Sequence, residues 1–189
     1  MFKLDKHCAL VIVDMQKDFM PGGSLPIPGG NNIVPVINEY VGMFLSKNST
    51  IVFSRDWHPI DHVSFKENGG PWPAHCVVGT VGSEYADKLI VPFNAFQIVK
   101  AYTKEKDTYS AFEDTGLANT LSYKGIDTVF VCGVASEYCV AATINDSIKN
   151  GFKTNVLMDA VKPAVDDGTF EFITSVIDIN VVKNISNII

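Results

Sequence analysis

A cysteine that could act as a nucleophile lies where a predicted strand gives way to a predicted helix. Residues 129–132 form an apolar run of strand length, and helix-spaced apolar residues resume at Val140. With Ser136 as N-cap and Gly151 as the C-terminal stop, Cys139 falls in the first turn, where the helix dipole favours a thiolate. A buried cysteine is more often an inert small hydrophobe. Because ligands of open α/β sheets bind beyond the carboxyl ends of strands, the position of Cys139 favours a catalytic role.

Three histidines and an aspartate follow another predicted strand within a single loop. Asp56 and His58 are two residues apart, so their side chains point the same way in an extended chain, and His62 and His75 follow. Aspartate with histidines suits zinc, iron or manganese, with positions left open for water or substrate. A lone loop histidine is normally solvated, and no HExxH-type spacing is present. Spacing alone therefore leaves both a metal centre and a set of solvated side chains open.

Two further charged residues are predicted at strand ends. Asp14 ends the apolar run 9–13, and Lys100 ends the short run 97–99. An aspartate there can simply cap a turn, and a lysine can be surface charge. If both are enclosed beside Cys139, the ammonium would stabilise a thiolate and hold the carboxylate ionised.

Strands and helices alternate through most of the sequence. The predicted strands are residues 9–13, 50–54, 97–99, 129–132, 153–158 and 179–182. The predicted helices are residues 32–47, 117–123, 136–150 and 166–176. Strands that are apolar on both faces predict a parallel or mostly parallel sheet of five or six strands, in a three-layer α/β/α fold. The carboxyl ends of the strands, with their charged residues, should then meet at one edge of the sheet.

Composition narrows the classes of function. The 189 residues suit a single domain spanning 1–189, with 47% hydrophobic residues and a net charge of −6. The acidic balance argues against nucleic acid and anionic membranes as partners. Four irregularly placed cysteines indicate free thiols in a reducing compartment, and the first apolar run is too short for a signal peptide or a membrane span. We expect a cytoplasmic protein, with an apolar C-terminal strand that leaves room for a homo-oligomer.

Five motifs in order give the chain a specific resemblance. They are VIVDMQKDFMPGGSL, RDWHPIDHVSF, PWPAHCVVGT, VKAYTKEKDTYSAFEDTGL and VCGVASEYCVAATINDSIKNGF. On these motifs the sequence resembles the isochorismatase-like cysteine hydrolases. The motifs that contain Asp56, His58 and His75 are similar to those of the nicotinamidase (pyrazinamidase) branch of that family. One departure is that many relatives have Lys-Gly where this chain has Lys100-Ala101.

The resemblance implies a role for each group of residues. The implied catalytic triad is Asp14, Lys100 and Cys139, and the implied metal ligands are Asp56, His58 and His75, with His62 as a further candidate. The metal would be zinc, with iron and manganese as alternatives. An oxyanion hole would come from the N–H groups of Ala135 and Cys139, made possible by a cis peptide between Val134 and Ala135. The implied contacts with a flat aromatic substrate are Phe19, Leu25, Trp72, Tyr109, Val134 and Ala135, for which ordinary packing is the alternative.

The implied reaction is hydrolysis of nicotinamide to nicotinate and ammonia through a thioester on Cys139, with pyrazinamide as a further substrate. The metal would hold the pyridine nitrogen and so orient the ring. Alternatives are a related hydrolase acting on another small amide, a carbamoyl compound or a vinyl ether, a metal-dependent binding protein without turnover, and a structural metal site.

Overall fold

A computed structural model describes residues 2–177 and 179–188, except for the side chains of 171, 172 and 176. It contains a six-stranded sheet in the order β3-β2-β1-β4-β5-β6, and each pair of neighbours is parallel. The strands are β1 Cys8–Val13, β2 Thr50–Asp56, β3 Phe96–Lys100, β4 Thr128–Val134, β5 Lys153–Lys162 and β6 Asn180–Val182. The α-helices are α1 Val34–Ser46, α2 Leu117–Tyr123, α3 Ala141–Lys149 and α4 Thr169–Val176. The predicted fold class is confirmed.

The alternating side chains of the central strands supply two cores. All six residues of β1 are buried. Leu10 and Ile12 belong to the cluster that contains α1 residues such as Ile37, whereas Val11 and Val13 belong to the cluster packed on α2 and α3. A strand buried on both faces has no polar side, which explains its continuous apolar sequence. The result is a sheet covered by helices on both sides.

The strand order reverses between β1 and β4. From β1 the chain builds outward through β2 and β3 on one side, and through β4, β5 and β6 on the other. Crossovers leave this pair in opposite directions, so a crevice opens at the carboxyl ends of β1 and β4. The segments that follow these two strands carry Asp14 and Cys139.

Several boundaries differ from the predictions. The fifth strand continues to Lys162, and α4 begins at Thr169 rather than at 166. Gly168 precedes α4 with a left-handed φ of 81°, and the carboxylate of Asp167 accepts from the N–H of Thr169 at 2.9 Å. This local turn, rather than hydrophobic spacing, sets where the helix starts.

The predicted N-cap of the helix that carries Cys139 is wrong. Ser136 lies inside a π-helical turn, Ser136–Val140, which precedes α3, and no side-chain cap bond forms there. π-helical turns are rare and occur frequently at functional sites. The predicted stop at Gly151 is confirmed, since its φ is 86° and the N–H groups of Gly151 and Phe152 donate to the carbonyls of Ile148 and Ser147.

All four cysteines are free. Across the described residues, none of the helices has the length and apolar character needed to cross a membrane.

Gly133 permits the close approach of β4 to β1 beside the crevice. It pairs with Val13, and its φ is 121°. A Cβ added here would lie 2.1 Å from the carbonyl oxygen of Val13, which is backbone and cannot rotate away. Only glycine fits both the dihedral angle and the space.

We therefore predict that Gly133→Ala lowers the free energy of unfolding by about 2–5 kcal/mol, from strain at positive φ and overpacking. Urea unfolding of the purified variant measures this loss. The matched control is Gly42→Ala in α1, where an added Cβ meets nothing within 4 Å, and which should gain up to about 1 kcal/mol. Equal stability of the two variants would contradict the close-approach argument.

Candidate active site

Four strand ends bring an ammonium, two carboxylates and a thiol together. Lys100 Nζ lies 2.9 Å from Asp14 Oδ2 and 3.4 Å from Cys139 Sγ, and it donates a short hydrogen bond to Asp56 Oδ1. The sulfur also lies within 4.8 Å of a carboxylate oxygen of Asp14. The side chains of Lys100 and Asp14 are fully buried. The sequence-predicted trio is therefore one contiguous cluster at the carboxyl edge of the sheet.

Burial and mutual attraction set the charges in this cluster. Burial alone would lower the pKa of Lys100, but the charges of Asp14 and Asp56 hold it well above its ordinary value. Burial would raise the pKa of Asp56, but Lys100 and the nearby histidines hold it below its ordinary value. For Asp14, burial raises the pKa, and the attraction of Lys100 offsets this only in part. Lys100 is thus a permanent cation, and Asp14 is a stronger base than an exposed aspartate.

The preference of a first helical turn for a thiolate at Cys139 is outweighed by burial in the resting protein. Burial raises the pKa of this thiol well above its ordinary value, and the attraction of Lys100 does not compensate, because Asp14 and Asp56 oppose it. The helix dipole that favours a thiolate is weak beside the desolvation of this buried sulfur. Cys139 must therefore lose its proton to a neighbouring base before it can attack.

Backbone geometry and buried hydrogen bonds hold the two carboxylates. Asp14 leaves β1 with a φ of 52°, a conformation that aspartate tolerates better than most residues, and its Oδ1 accepts from Ser54 Oγ at 2.7 Å. Gln16 fixes the backbone of Asp56, because its Oε1 accepts from the Asp56 N–H at 2.8 Å and its Nε2 donates to the Asp56 carbonyl at 2.9 Å. Ser54 and Gln16 are supports that the sequence analysis missed.

The departure at Ala101 also has a structural consequence. Ala101 adopts a φ of 52°, in the left-handed region that favours glycine, directly after Lys100. Its N–H donates to Thr108 Oγ1 at 2.7 Å, and the carbonyl of Thr108 accepts from Lys100 Nζ at 3.4 Å. Thr108 thereby holds both the lysine and the unusual backbone that follows it.

Asp56, His58 and His75 form a buried donor set beside this cluster. One ligand atom from each lies within 4.8 Å of the others, and Asp56 Oδ2 is 4.0 Å from His75 Nε2. The Nδ1 atoms of His58 and His75 bond the carbonyls of His75 and Pro73 at 2.9 and 2.8 Å, which turns both Nε2 atoms inward. Burial lowers the pKa of His58 to about 4, so its ring is neutral and able to bind a metal. These residues fit a divalent cation.

His62 lies next to this set but has protein partners at both ring nitrogens. Its ring centroid is 4.4 Å from that of His58. Its Nδ1 bonds Ser64 Oγ at 2.7 Å, and its Nε2 bonds the carbonyl of Lys106 at 3.1 Å. His62 therefore links two loops in this conformation, and it would have to release one of these bonds to coordinate a metal.

An apolar cavity of about 250 Å³ opens over the cysteine and the donor set. Its walls contain the predicted residues Phe19, Leu25, Trp72, Tyr109 and Ala135. Trp72 Nε1 donates to the hydroxyl of Tyr109 at 3.0 Å, which fixes the orientation of the indole. A cavity of this size suits one small ring better than a drug-sized ligand.

The cavity departs from the prediction in two ways. Val134 is not among the lining residues, because its side chain is fully buried in the cluster that contains α1. The lining also includes residues that the sequence analysis did not identify, namely Pro26, Ile27, Asp107, Thr108, Tyr138, Ala164 and Val165. Tyr138 directly precedes the candidate nucleophile Cys139 in the sequence, and this position could have identified it as a cavity residue. Ala164 and Val165 lie outside the five motifs, so nothing in the sequence analysis pointed to them.

The turn after β4 forms part of the wall of the same cavity. The peptide bond between Val134 and Ala135 is cis, as the resemblance implied. Ala135 and Cys139 both line the cavity, one on each side of the intervening turn. The carbonyl of Ala135 accepts from the N–H groups of Tyr138 and Val140, which anchors the turn.

Comparisons with known proteins identify relatives of this chain. The nicotinamidase of Acinetobacter baylyi is 38% identical over 191 residues, covering 89% of this chain and 87% of that protein. The pyrazinamidase of Pyrococcus horikoshii, solved in complex with zinc, is 47% identical with a TM-score of 0.89, covering 93% of this chain and 98% of that one. The structure of PnC1 from L. infantum in complex with nicotinate is 35% identical with a TM-score of 0.91, covering 100% and 98% of the two chains. The family model of the isochorismatase domain matches residues 8–178. The chain therefore belongs to the isochorismatase family.

Proposed function

We propose that this protein is a nicotinamidase, an amidohydrolase that converts nicotinamide to nicotinate and ammonia and also accepts pyrazinamide. The observation that carries the proposal is the position of Lys100 Nζ, 3.4 Å from the sulfur of Cys139 and 2.9 Å from the carboxylate of Asp14. The names of the relatives described above support the choice of substrate. Other small amides are the alternative within the family.

The first step is proton transfer from Cys139 to Asp14. The thiol is protonated at rest, and Asp14 is an unusually basic carboxylate within 4.8 Å of it. Lys100 keeps its charge throughout and stabilises the thiolate as it forms. The sulfur then attacks the carboxamide carbon, and the N–H groups of Ala135 and Cys139 hold the developing oxyanion.

Collapse of the tetrahedral intermediate breaks the carbon–nitrogen bond. Asp14 returns its proton to the departing nitrogen, which leaves as ammonia, and a nicotinoyl thioester remains on Cys139. Asp14 is then ionised and can take a proton from a water molecule that attacks the thioester. The carbon–sulfur bond then breaks, Asp14 returns the proton to the sulfur of Cys139, and the nicotinic acid that is released ionises to nicotinate in water.

The donor set and the aromatic walls have a positioning role in this scheme. Asp56, His58 and His75 would hold a divalent cation, for which zinc is the first candidate and iron and manganese are alternatives. When bound, the cation would attract the lone pair of the pyridine nitrogen and so select nicotinamide over carbocyclic amides. Trp72 and Phe19 confine the flat ring from the cavity walls.

Replacement of the nucleophile tests the covalent step. Cys139→Ala should reduce ammonia release from nicotinamide by at least about 10⁴-fold, because the residual rate comes only from binding and the oxyanion donors. A coupled assay for ammonia measures this rate. The control is Cys132→Ala in β4, whose side chain faces the cluster that contains α1 and which should keep activity within about threefold. Substantial turnover by Cys139→Ala would end the proposal.

Removal of the buried ammonium group of Lys100 should lower both the stability and the activity of the protein. Lys100→Met leaves two carboxylates buried without their partner, so we expect a loss of about 3–5 kcal/mol at neutral pH together with loss of turnover. Without the ammonium the carboxylate pKa values rise, so the stability defect should shrink as the pH falls toward about 5. Urea unfolding at the two pH values measures it. Lys104→Met, which removes an exposed ion pair with Asp61, should cost less than about 1 kcal/mol at both.

Metal content tests the donor set independently of turnover. The purified protein should carry about one divalent ion per chain, measured by elemental analysis, and should lose activity after dialysis against a chelator and regain it with zinc. His75→Ala should retain little metal, whereas His7→Ala, which alters an exposed histidine just before the amino end of β1, should retain it in full. Equal metal content in the two variants would refute the assignment.

A further inference from the structure

Glu137 is a carboxylate that holds a separate segment of the chain. It lies in the π-helical turn Ser136–Val140, two residues before Cys139. Its Oε2 accepts from the N–H of Ala164 at 3.0 Å, and its Oε1 accepts from the N–H of Val165 at 2.8 Å. Two successive backbone donors thus point at one carboxylate, one for each oxygen. Hydrogen bonds from backbone N–H groups to an ionised acceptor are among the stronger ones in proteins.

The segment that Glu137 holds forms part of the cavity mouth. We call residues 163–168 the rim loop; it connects β5 to α4 at the same edge of the sheet as Cys139. Ala164 and Val165 line the cavity, and Val165 is 59% exposed, so this wall lies at the opening.

Besides Glu137, the described contacts of the rim loop are few: Ala164 is half-buried and packs against the core cluster that contains α1, and residues 165–168 are exposed. None of its residues is buried. The N–H of Asp167 donates to the carbonyl of Val165, and the carboxylate of Asp167 accepts from Thr169. These bonds shape the rim loop itself, but they do not attach it to the π-helical turn that carries Cys139. Segments with few buried contacts open at low free-energy cost, so the two bonds to Glu137 should dominate the position of this wall.

We propose that Glu137 is a positioning residue that latches the rim loop to the turn bearing Cys139 and thereby completes the wall around the bound ring. Because Ala164 and Val165 are at the mouth and the sulfur is at the base, the latch acts on the ring and not on the reacting carbon. It should therefore stabilise bound substrate, transition state and product alike. Loss of such uniform binding raises KM and leaves kcat unchanged. This kinetic consequence rests on the proposed nicotinamidase function, whereas the latch itself does not.

The test is Glu137→Gln, which preserves size but sets an amide N–H₂ against one of the two backbone donors. Hydrogen exchange should become at least about tenfold faster at the amides of Ala164 and Val165, with exchange in β4 unchanged. The KM for nicotinamide and the inhibition constant of nicotinate should rise together by about 5- to 20-fold, with kcat within about twofold. Glu137→Asp, which keeps the charge but shortens the reach, should give intermediate values.

The matched control is Asp146→Asn in α3. It removes the same charge from a side chain whose partner is the exposed Lys149 at 3.0 Å, and it should leave exchange in the rim loop and KM at wild-type values. Wild-type exchange at Ala164 and Val165 in both Glu137 variants would overturn the latch. So would a fall in kcat at constant KM, because Glu137 would then act on the nucleophile's turn. If the wild-type protein released no ammonia from nicotinamide, the proposed function would fail, and the exchange data would still decide the latch.

Discussion

The burial of one ammonium group organises this structure. Lys100 has no exposed surface, and a lone cation in that position would be prohibitively costly, so it requires anionic partners at short range. Asp14 and Asp56 supply them from the carboxyl ends of β1 and β2, the two strands next in order after β3. Each carboxylate alone would be equally costly to bury. The three groups therefore stabilise one another, and the strand order β3-β2-β1 is what allows them to meet.

Asp56 connects this charge cluster to the metal-fitting residues. One of its oxygens bonds Lys100, while the other faces His75 at 4.0 Å. A single carboxylate thus belongs to both the proposed acid–base machinery and the proposed substrate-orienting set. Gln16 fixes the backbone of Asp56 through two hydrogen bonds. This anchor helps to keep one carboxylate oxygen on Lys100 and the other toward His75. In the proposed reaction, the geometry of attack and the geometry of ring binding consequently depend on the same anchored residue.

Hydrophobic patterning was sufficient to predict the strands, their parallel arrangement and the edge where the charged residues meet. It succeeded because strands such as β1, buried on both faces, leave a continuous apolar signal that ends at Asp14. The protonation of Cys139 was not predictable in this way, because burial is a property of the assembled fold. The predicted N-cap of the helix that carries Cys139 was wrong for a related reason. Ser136 lies inside a π-helical turn, which no simple capping rule describes. The contact between Glu137 and Ala164 joins residues 27 positions apart, and neither has a periodicity that would indicate it.

The most direct test of the central claim is to identify the covalent intermediate. The claim is that the sulfur of Cys139, activated beside Lys100 and Asp14, becomes acylated by the substrate. Purified protein mixed with nicotinamide, quenched in acid within the first turnover and digested, should yield a peptide containing Cys139 with the added mass of one nicotinoyl group. Ammonia release without that adduct, or the same adduct on a different residue, would contradict the account.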